Sequence, residues 1–158
     1  MTRLTILFFL ISSPALANFY VGQSVSYNIL SETYVNGDYI NSENFGVGLF
    51  VGKNINDQIG IEYNIEHLQS DSNKRGHNLH SLKLKLGLDG HYRFTPELGL
   101  GLSSLKGNLS SMTSIGFKYQ HVENVHLRLS LNNISNLKNE SSEFDIYKLE
   151  FGFIYSFM

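Results

Sequence analysis

The sequence predicts an all-β fold: one eight-stranded antiparallel transmembrane up-and-down β-barrel. Three observations carry that expectation. After residue 17, apolar and polar residues alternate with period two through most of the chain, as they do on a strand whose side chains point to opposite faces. The connections between alternating runs are short and long by turns, the plan of a barrel with tight turns on one membrane side and larger loops on the other. The non-apolar face carries eight charges, which no soluble hydrophobic core would bury.

The first alternating run sets Phe19, Val21, Val25, Tyr27 and Ile29 against Gly22, Ser24, Ser26 and Asn28, with Gln23 a polar intruder on the apolar side. The second sets Phe45, Val47, Leu49 and Val51 against Gly46, Gly48, Phe50 and Gly52, and the third Ile59, Ile61, Tyr63 and Ile65 against Gly60, Glu62, Asn64 and Glu66. In the fourth, Leu82, Leu84, Leu86 and Leu88 face away from Ser81, Lys83, Lys85 and Gly87, and Tyr92 and Phe94 continue the apolar phase. The fifth is short: Leu98, Leu100 and Leu102 against Gly99, Gly101 and Ser103. The sixth sets Ile115, Phe117 and Tyr119 against Ser114, Gly116 and Lys118. The seventh sets Val125, Leu127, Leu129 and Leu131 against His126, Arg128, Ser130 and Asn132. The eighth sets Tyr147, Leu149, Phe151, Phe153, Tyr155 and Phe157 against Lys148, Glu150, Gly152 and Ser156, with Ile154 an apolar intruder. A helical period would scatter these leucines around the whole circumference.

Short turns are expected at 54–57, 95–97 and 121–124, and long loops rich in Ser, Asn, Gly, Asp and Glu at 31–43, 68–78, 104–111 and 133–144. An even strand count puts both chain ends on the short-turn, periplasmic side. Asp89-Gly90 is a hairpin signal, but a turn there would put Pro96 inside the fifth strand. A closed ladder accommodates proline poorly, so the turn is placed at Thr95-Pro96.

A length of 158 residues fits one domain. Charged residues make up only 16% against 13% aromatic, where soluble domains run near a quarter charged. Past the N-terminus no apolar run approaches the roughly 20 residues of a membrane helix, which excludes a helical membrane protein. There is no cysteine, hence no disulfide scaffold, thiolate metal site or cysteine-linked lipid anchor. Residues 1–17 read as a secretory signal peptide: Arg3, an apolar stretch from Leu4 to Ile11 interrupted by Thr5, Pro14, then Ala15-Leu16-Ala17 before Asn18. The barrel is then residues 18–158, and the destination is the bacterial outer membrane. The formal charge of −2 shows no basic excess, so no nucleic-acid partner is expected.

The apolar face is large and aromatic, and eight strands enclose only enough room for side chains to fill. The apolar face is therefore outward, toward lipid. Glu62, Glu66, Lys83, Lys85, Lys118, Arg128, Lys148 and Glu150 face the lumen as a network, Glu62 and Glu66 beside Lys83 and Lys85, Lys148 and Glu150 beside Arg128. Phe19, Tyr92, Phe94, Tyr119, Tyr155 and Phe157 mark one interfacial girdle and Tyr27, Phe45 and Tyr147 the other.

The stretches His91-Tyr92-Arg93-Phe94-Thr95-Pro96, Gly116-Phe117-Lys118-Tyr119 and Asn124-Val125-His126-Leu127-Arg128-Leu129 resemble the small outer-membrane barrels of the OmpA-transmembrane and OmpX type, across the whole mature chain. The ending Leu149, Phe151, Phe153, Tyr155, Phe157 resembles the strand signal read by the barrel assembly machinery, with Phe153, Tyr155 and Phe157 as its core and Met158 in the last place. Asn133-Ile134-Ser135-Asn136, with His80-Ser81-Leu82 and Asp145, is similar to lipid A deacylases of the PagL type, which carry His-x-Ser-Asn at the outer end of the seventh strand. That similarity implies an alternative site of Ser135, Asn133 and Asp145. A serine nucleophile needs a base, and asparagine at position 133 does not supply one; His126 has lumen parity. Asn-x-Ser-Asn is also ordinary loop composition.

His67, His77 and His80 flank the second long loop without a known ligand spacing, and no metal or cofactor is expected. Lys74-Arg75 in that loop is a candidate contact for lipopolysaccharide phosphates. The expectation is a monomeric, closed barrel with a structural or surface-interaction role, its loops at 31–43, 68–78 and 133–144 carrying any specificity. Its partners are outer-membrane lipid and lipopolysaccharide, and the assembly machinery during biogenesis.

Overall fold

The structure, a computed structural model, describes residues 18–34, 39–68, 77–88, 93–105, 107–139 and 142–157. The signal-peptide segment, Lys74-Arg75, Asp89-Gly90 and Tyr92 lie outside the described residues.

Eight strands run in chain order: β1 (Phe19–Tyr34), β2 (Tyr39–Asn54), β3 (Ile59–Leu68), β4 (His77–Gly87), β5 (Phe94–Leu105), β6 (Asn108–Val122), β7 (Val125–Asn139) and β8 (Ser142–Ser156). Each pairs antiparallel with the next, and β1 pairs with β8, so the sheet closes on itself. Closure leaves no edge within the barrel wall, which a hydrocarbon environment requires of a sheet. Both chain ends meet on the short-turn side: the Asn18 N–H donates to Phe157 at 3.3 Å, and the Phe157 N–H to Phe19 at 2.8 Å.

The strand count, order and facing agree with the sequence reading; several strand boundaries do not. The β4–β5 connection falls at residues 88–93, and Pro96 sits inside β5, opposite Phe117. Phe94 therefore opens β5 instead of extending the fourth strand. Pro96 is accommodated because its carbonyl accepts from Leu88 at 2.8 Å, one residue beyond the end of β4. The N–H and C=O of one antiparallel residue face the same neighbour, so the missing donor falls where the β4 ladder runs out.

All four long loops are also shorter than expected, the one between β3 and β4 the least changed, at residues 69–76. β5 runs to Leu105 and β6 starts at Asn108, joined by a two-residue turn with Gly107 at φ +86°, a conformation that favours glycine. β1 and β2 are separated by residues 35–38 alone, and β7 and β8 by 140–141. Polar residues dominate these strand ends, so the ladder continues while the apolar–polar alternation that reveals it stops.

The extension is uneven. β3 last pairs with β2 at Gly46–Leu68, and β6 last pairs with β7 at Ser111–Ser135. The β7–β8–β1–β2 pairing goes on to Asn139–Ser142, Tyr34–Ser142 and Thr33–Tyr39. β2 thus outruns its β3 pairing by residues 39–45, roughly 23 Å of strand, and β7 outruns its β6 pairing by residues 136–139, roughly 13 Å.

Candidate functional site: the ion-paired lumen and the lipid-facing wall

Burial inverts the pattern of a soluble protein. Leu49 is 68% exposed on the outer face, whereas Glu62 and Glu150 are fully buried. All eight charged residues singled out in the sequence point inward.

The lumen is bridged across its width. From β7, Arg128 places Nη1 2.5 Å from Glu62 of the opposite wall, while Nη2 lies 2.8 Å from Glu150 on the neighbouring strand. Its guanidinium stacks 4.3 Å over the Phe50 ring, a cation–π contact out of bulk water. Lys148, from β8, reaches Glu66 at 2.5 Å and Glu150 at 2.6 Å. Glu62 gathers Lys83 at 3.4 Å, Lys85 at 3.5 Å and a hydrogen bond donated by Tyr20 at 3.1 Å. Glu66 accepts from Ser26, and from Asn28 at 3.4 Å.

This connectivity departs from the expected one. Glu66 was expected beside Lys83 or Lys85, but the register puts it opposite Leu79, so its cation comes from across the barrel. The sequence reading also missed Glu97, which pairs with Lys85 at 3.1 Å and with Lys118 at 3.8 Å. Its inward parity continues that of Gly99, Gly101 and Ser103, but the misplaced turn had taken it out of the strand. With Glu97 included, the ion pairs join into one chain from Lys118 to Glu66, five cations to four carboxylates among the described residues.

Glycines make the room. A Cβ at Gly46 would collide with the Glu66 carboxylate and lie 2.6 Å from the Ser26 hydroxyl. At the loop end the lumen turns apolar: Leu68, Leu79, Leu105, Met112, Ile134 and Ile146 form a buried cluster. Tyr20, Phe50 and Ile154 pack as a smaller cluster among the charges.

On the outer face, Phe94 and Tyr119 meet at a tilt with ring centres 4.9 Å apart, and Tyr155 and Phe157 meet edge to face at 5.2 Å, near the short-turn end. Tyr27 and Phe45 meet at 5.5 Å nearer the loop end. Phe153, Tyr155 and Phe157 all project outward.

Ser135 lies at a register shift between β7 and β8. Its hydroxyl donates to the Asn133 amide oxygen at 3.0 Å. Among the described residues no hydrogen bond joins an imidazole to it: His126 faces the lumen nine residues down the strand, and His80, on β4, shares a 2.8 Å hydrogen bond with Tyr63. His67 bonds Asn78 at 2.9 Å, and no three potential ligands cluster for a metal among the described residues.

A closed eight-stranded wall, apolar outside and charged inside, defines a small barrel of the outer-membrane type. No protein-family model matches the sequence, and no curated protein sequence matches it. Among solved structures, Neisserial surface protein A is similar with a TM-score of 0.68 at 17% identity, covering 89% of this chain and 98% of that one. Ail, the attachment invasion locus protein of Yersinia pestis, has a TM-score of 0.54 at 11% identity, covering 86% and 98%. The outer membrane enzyme PagL has a TM-score of 0.51 at 13% identity, covering 82% and 97%. These are likenesses of fold, and they place the chain's architecture with small bacterial outer-membrane barrels.

Proposed function

We propose that the protein spans the bacterial outer membrane as a closed barrel and acts in a structural or surface-interaction role through its outer rim. The observation that carries this reading is the inverted polarity: a band of exposed Leu, Val, Ile and Phe surrounds a lumen occupied by its own ion pairs. Porin-like diffusion is disfavoured, because wide aqueous channels take about 16 strands, and here side chains bridge from wall to wall. The extension of β2 beyond its pairing with β3 supports a surface role. Past Gly46, β2 has no β3 partner among the described residues, and an unpaired edge is a template for a partner strand.

The alternative, a hydrolase like the lipid A deacylases acting through Ser135, has the resemblance of a short segment and a shared fold in its favour. It departs from that family at the base position: the Ser135 hydroxyl donates to the Asn133 amide oxygen, which cannot take a proton at neutral pH.

The test is migration of the purified full chain on a semi-native gel, with and without boiling, joined to conductance in planar bilayers. Migration that shifts on boiling, with no steady conductance, is expected. Solubility without detergent and unshifted migration would overturn the membrane reading, and open-channel steps would overturn the closed lumen. Unaltered lipid A masses in cells expressing the chain would set the hydrolase aside.

A further inference from the structure

β2 and β7 both run on past the strand beside them, and the two free ends are not alike. β7 outruns β6 by residues 136–139. That stretch contains Lys138 and follows a register shift between Ile134 and Leu137. A lysine and a bulge are two of the devices by which proteins blunt a sheet edge. β2 outruns β3 by Tyr39-Ile40-Asn41-Ser42-Glu43-Asn44-Phe45. This stretch contains no proline, lysine or glycine. Its pairing with β1 runs from Thr33–Tyr39 to Phe19–Lys53 without a register shift. One edge is guarded and the other is regular and open.

The hydrogen-bonding groups of the open edge follow from the ladder. The Asn54 N–H donates to Asn18 at 2.9 Å, toward β1, and the Ile55 N–H to Ile59 at 2.7 Å, toward β3. In an antiparallel strand the N–H and C=O of one residue face the same neighbour, and the side alternates from residue to residue. Because the register is unbroken, Tyr39, Asn41, Glu43 and Phe45 turn their N–H and C=O groups to the side of β3, where no described residue of β3 pairs with them. Ser42 and Asn44 turn theirs to β1.

The charge around this edge has one sign. From residue 31 to residue 52 the chain carries Glu32, Asp38 and Glu43 and no lysine or arginine. Residues directly opposite each other on neighbouring strands share a face, where opposite charges attract and like charges destabilise. A strand added here therefore gains from a cation opposite Glu43.

We infer that the β2 edge at residues 39–45 takes an extended, basic segment of a partner protein as an added antiparallel strand. This rests on the surface role proposed above and names its partner. Main-chain bonds to Tyr39, Asn41, Glu43 and Phe45 hold the strand, and a lysine or arginine opposite Glu43 selects it.

The test titrates the full chain, in phosphatidylcholine nanodiscs, against a labelled peptide of alternating threonine and valine with lysine at its centre, read by fluorescence anisotropy. The same peptide with glutamate at its centre is expected to bind about tenfold more weakly, and Glu43→Lys to reverse the order. The lysine peptide N-methylated at alternate residues keeps its charge but cannot donate to the edge, and is expected to lose binding. Asn41→Pro deletes an N–H that β1 does not use and is expected to weaken binding by about tenfold or more. No saturable binding to the parent chain, equal binding of the lysine and glutamate peptides, or binding unchanged in Asn41→Pro would each overturn the inference. So would binding that emerges only once residues 69–76 are shortened, because the chain's own loop would then be the occupant. Gel migration that shifts on boiling, run on every variant, reports the membrane barrel separately, so a peptide that fails to bind a heat-modifiable barrel counts against the edge alone.

Discussion

Replacing Lys148 by methionine should be among the most damaging single changes to the lumen, although the methionine fills much of the same space. Lys148 Nζ lies 2.5 Å from Glu66 and 2.6 Å from Glu150, and all three side chains are buried. The two acids are not equally dependent on it. Glu150 keeps Arg128 at 2.8 Å. Glu66 has no other cation among its ion pairs and falls back on Ser26 and on Asn28 at 3.4 Å. Removing one member of a buried pair leaves the other charge uncompensated, at a cost of about 3–5 kcal/mol, and the Lys148→Met variant should lose that much. Adding Glu66→Gln removes the stranded charge while keeping groups that Ser26 and Asn28 can bond. It should restore about 2 kcal/mol, a coupling typical of one network. Lys83→Met is the control: its acid, Glu62, retains Arg128 and Lys85, and the loss should stay below about 2 kcal/mol. The assay is urea unfolding in vesicles. The chain has no tryptophan, so circular dichroism replaces the usual fluorescence, and midpoints are compared at constant slope. A Lys148→Met loss under about 1 kcal/mol, or a Glu66→Gln addition that destabilises further, would refute the argument that charge compensation holds the lumen together.

Other variants test the remaining layers by the same assay. Leu100→Arg, at the centre of the outward face of β5 and 65% exposed, should cost about 2–4 kcal/mol in a bilayer; in a water-soluble barrel it would be near neutral. Gly46→Ala drives a methyl group into Glu66 and Ser26 and should cost about 1–3 kcal/mol by overpacking. Ile134→Ala opens a cavity in the fully buried apolar cluster at the loop end and should cost about 2–5 kcal/mol. Gly107→Ala has free space around it but φ +86°, so its loss should be the conformational one alone, about 1–2 kcal/mol.

Within the lipid band the architecture was legible because a barrel wall separates two environments, and every second residue records which one it meets. Val125 to Asn132 needs no alignment to be read as strand: leucines face out, and His126, Arg128, Ser130 and Asn132 face in. Legibility ended where residue type stopped following the environment: Leu109 is exposed and Ser110 buried. Ser104, Leu105 and residues 108–111 looked like loop because polar residues dominate there, yet they belong to β5 and β6. Proline misled for a related reason. A missing donor is costly only where a neighbour would have used it, and Pro96 sits where β4 has already ended. That error hid Glu97 and left Lys118 without its partner. The cross-barrel pairs were out of reach altogether. Sequence spacing predicts neighbours along the wall, such as Glu62 and Lys83, but whether Arg128 meets Glu62 depends on barrel diameter and side-chain length.

The lumen chemistry bears on where any activity can reside. Each described carboxylate there is held by at least one cation within 4 Å, and the loop end is stoppered by apolar side chains. A ligand entering would have to displace an ion pair and replace both charges, which a small neutral or singly charged molecule does not do. Recognition is thereby pushed to the outside. One exterior feature is not explained by spanning a bilayer: the edge of β2 that outruns β3 by residues 39–45. Its unpaired backbone groups offer a partner strand a ladder to extend, and shortening the β1–β2 hairpin would remove that edge while leaving the ion-paired lumen intact.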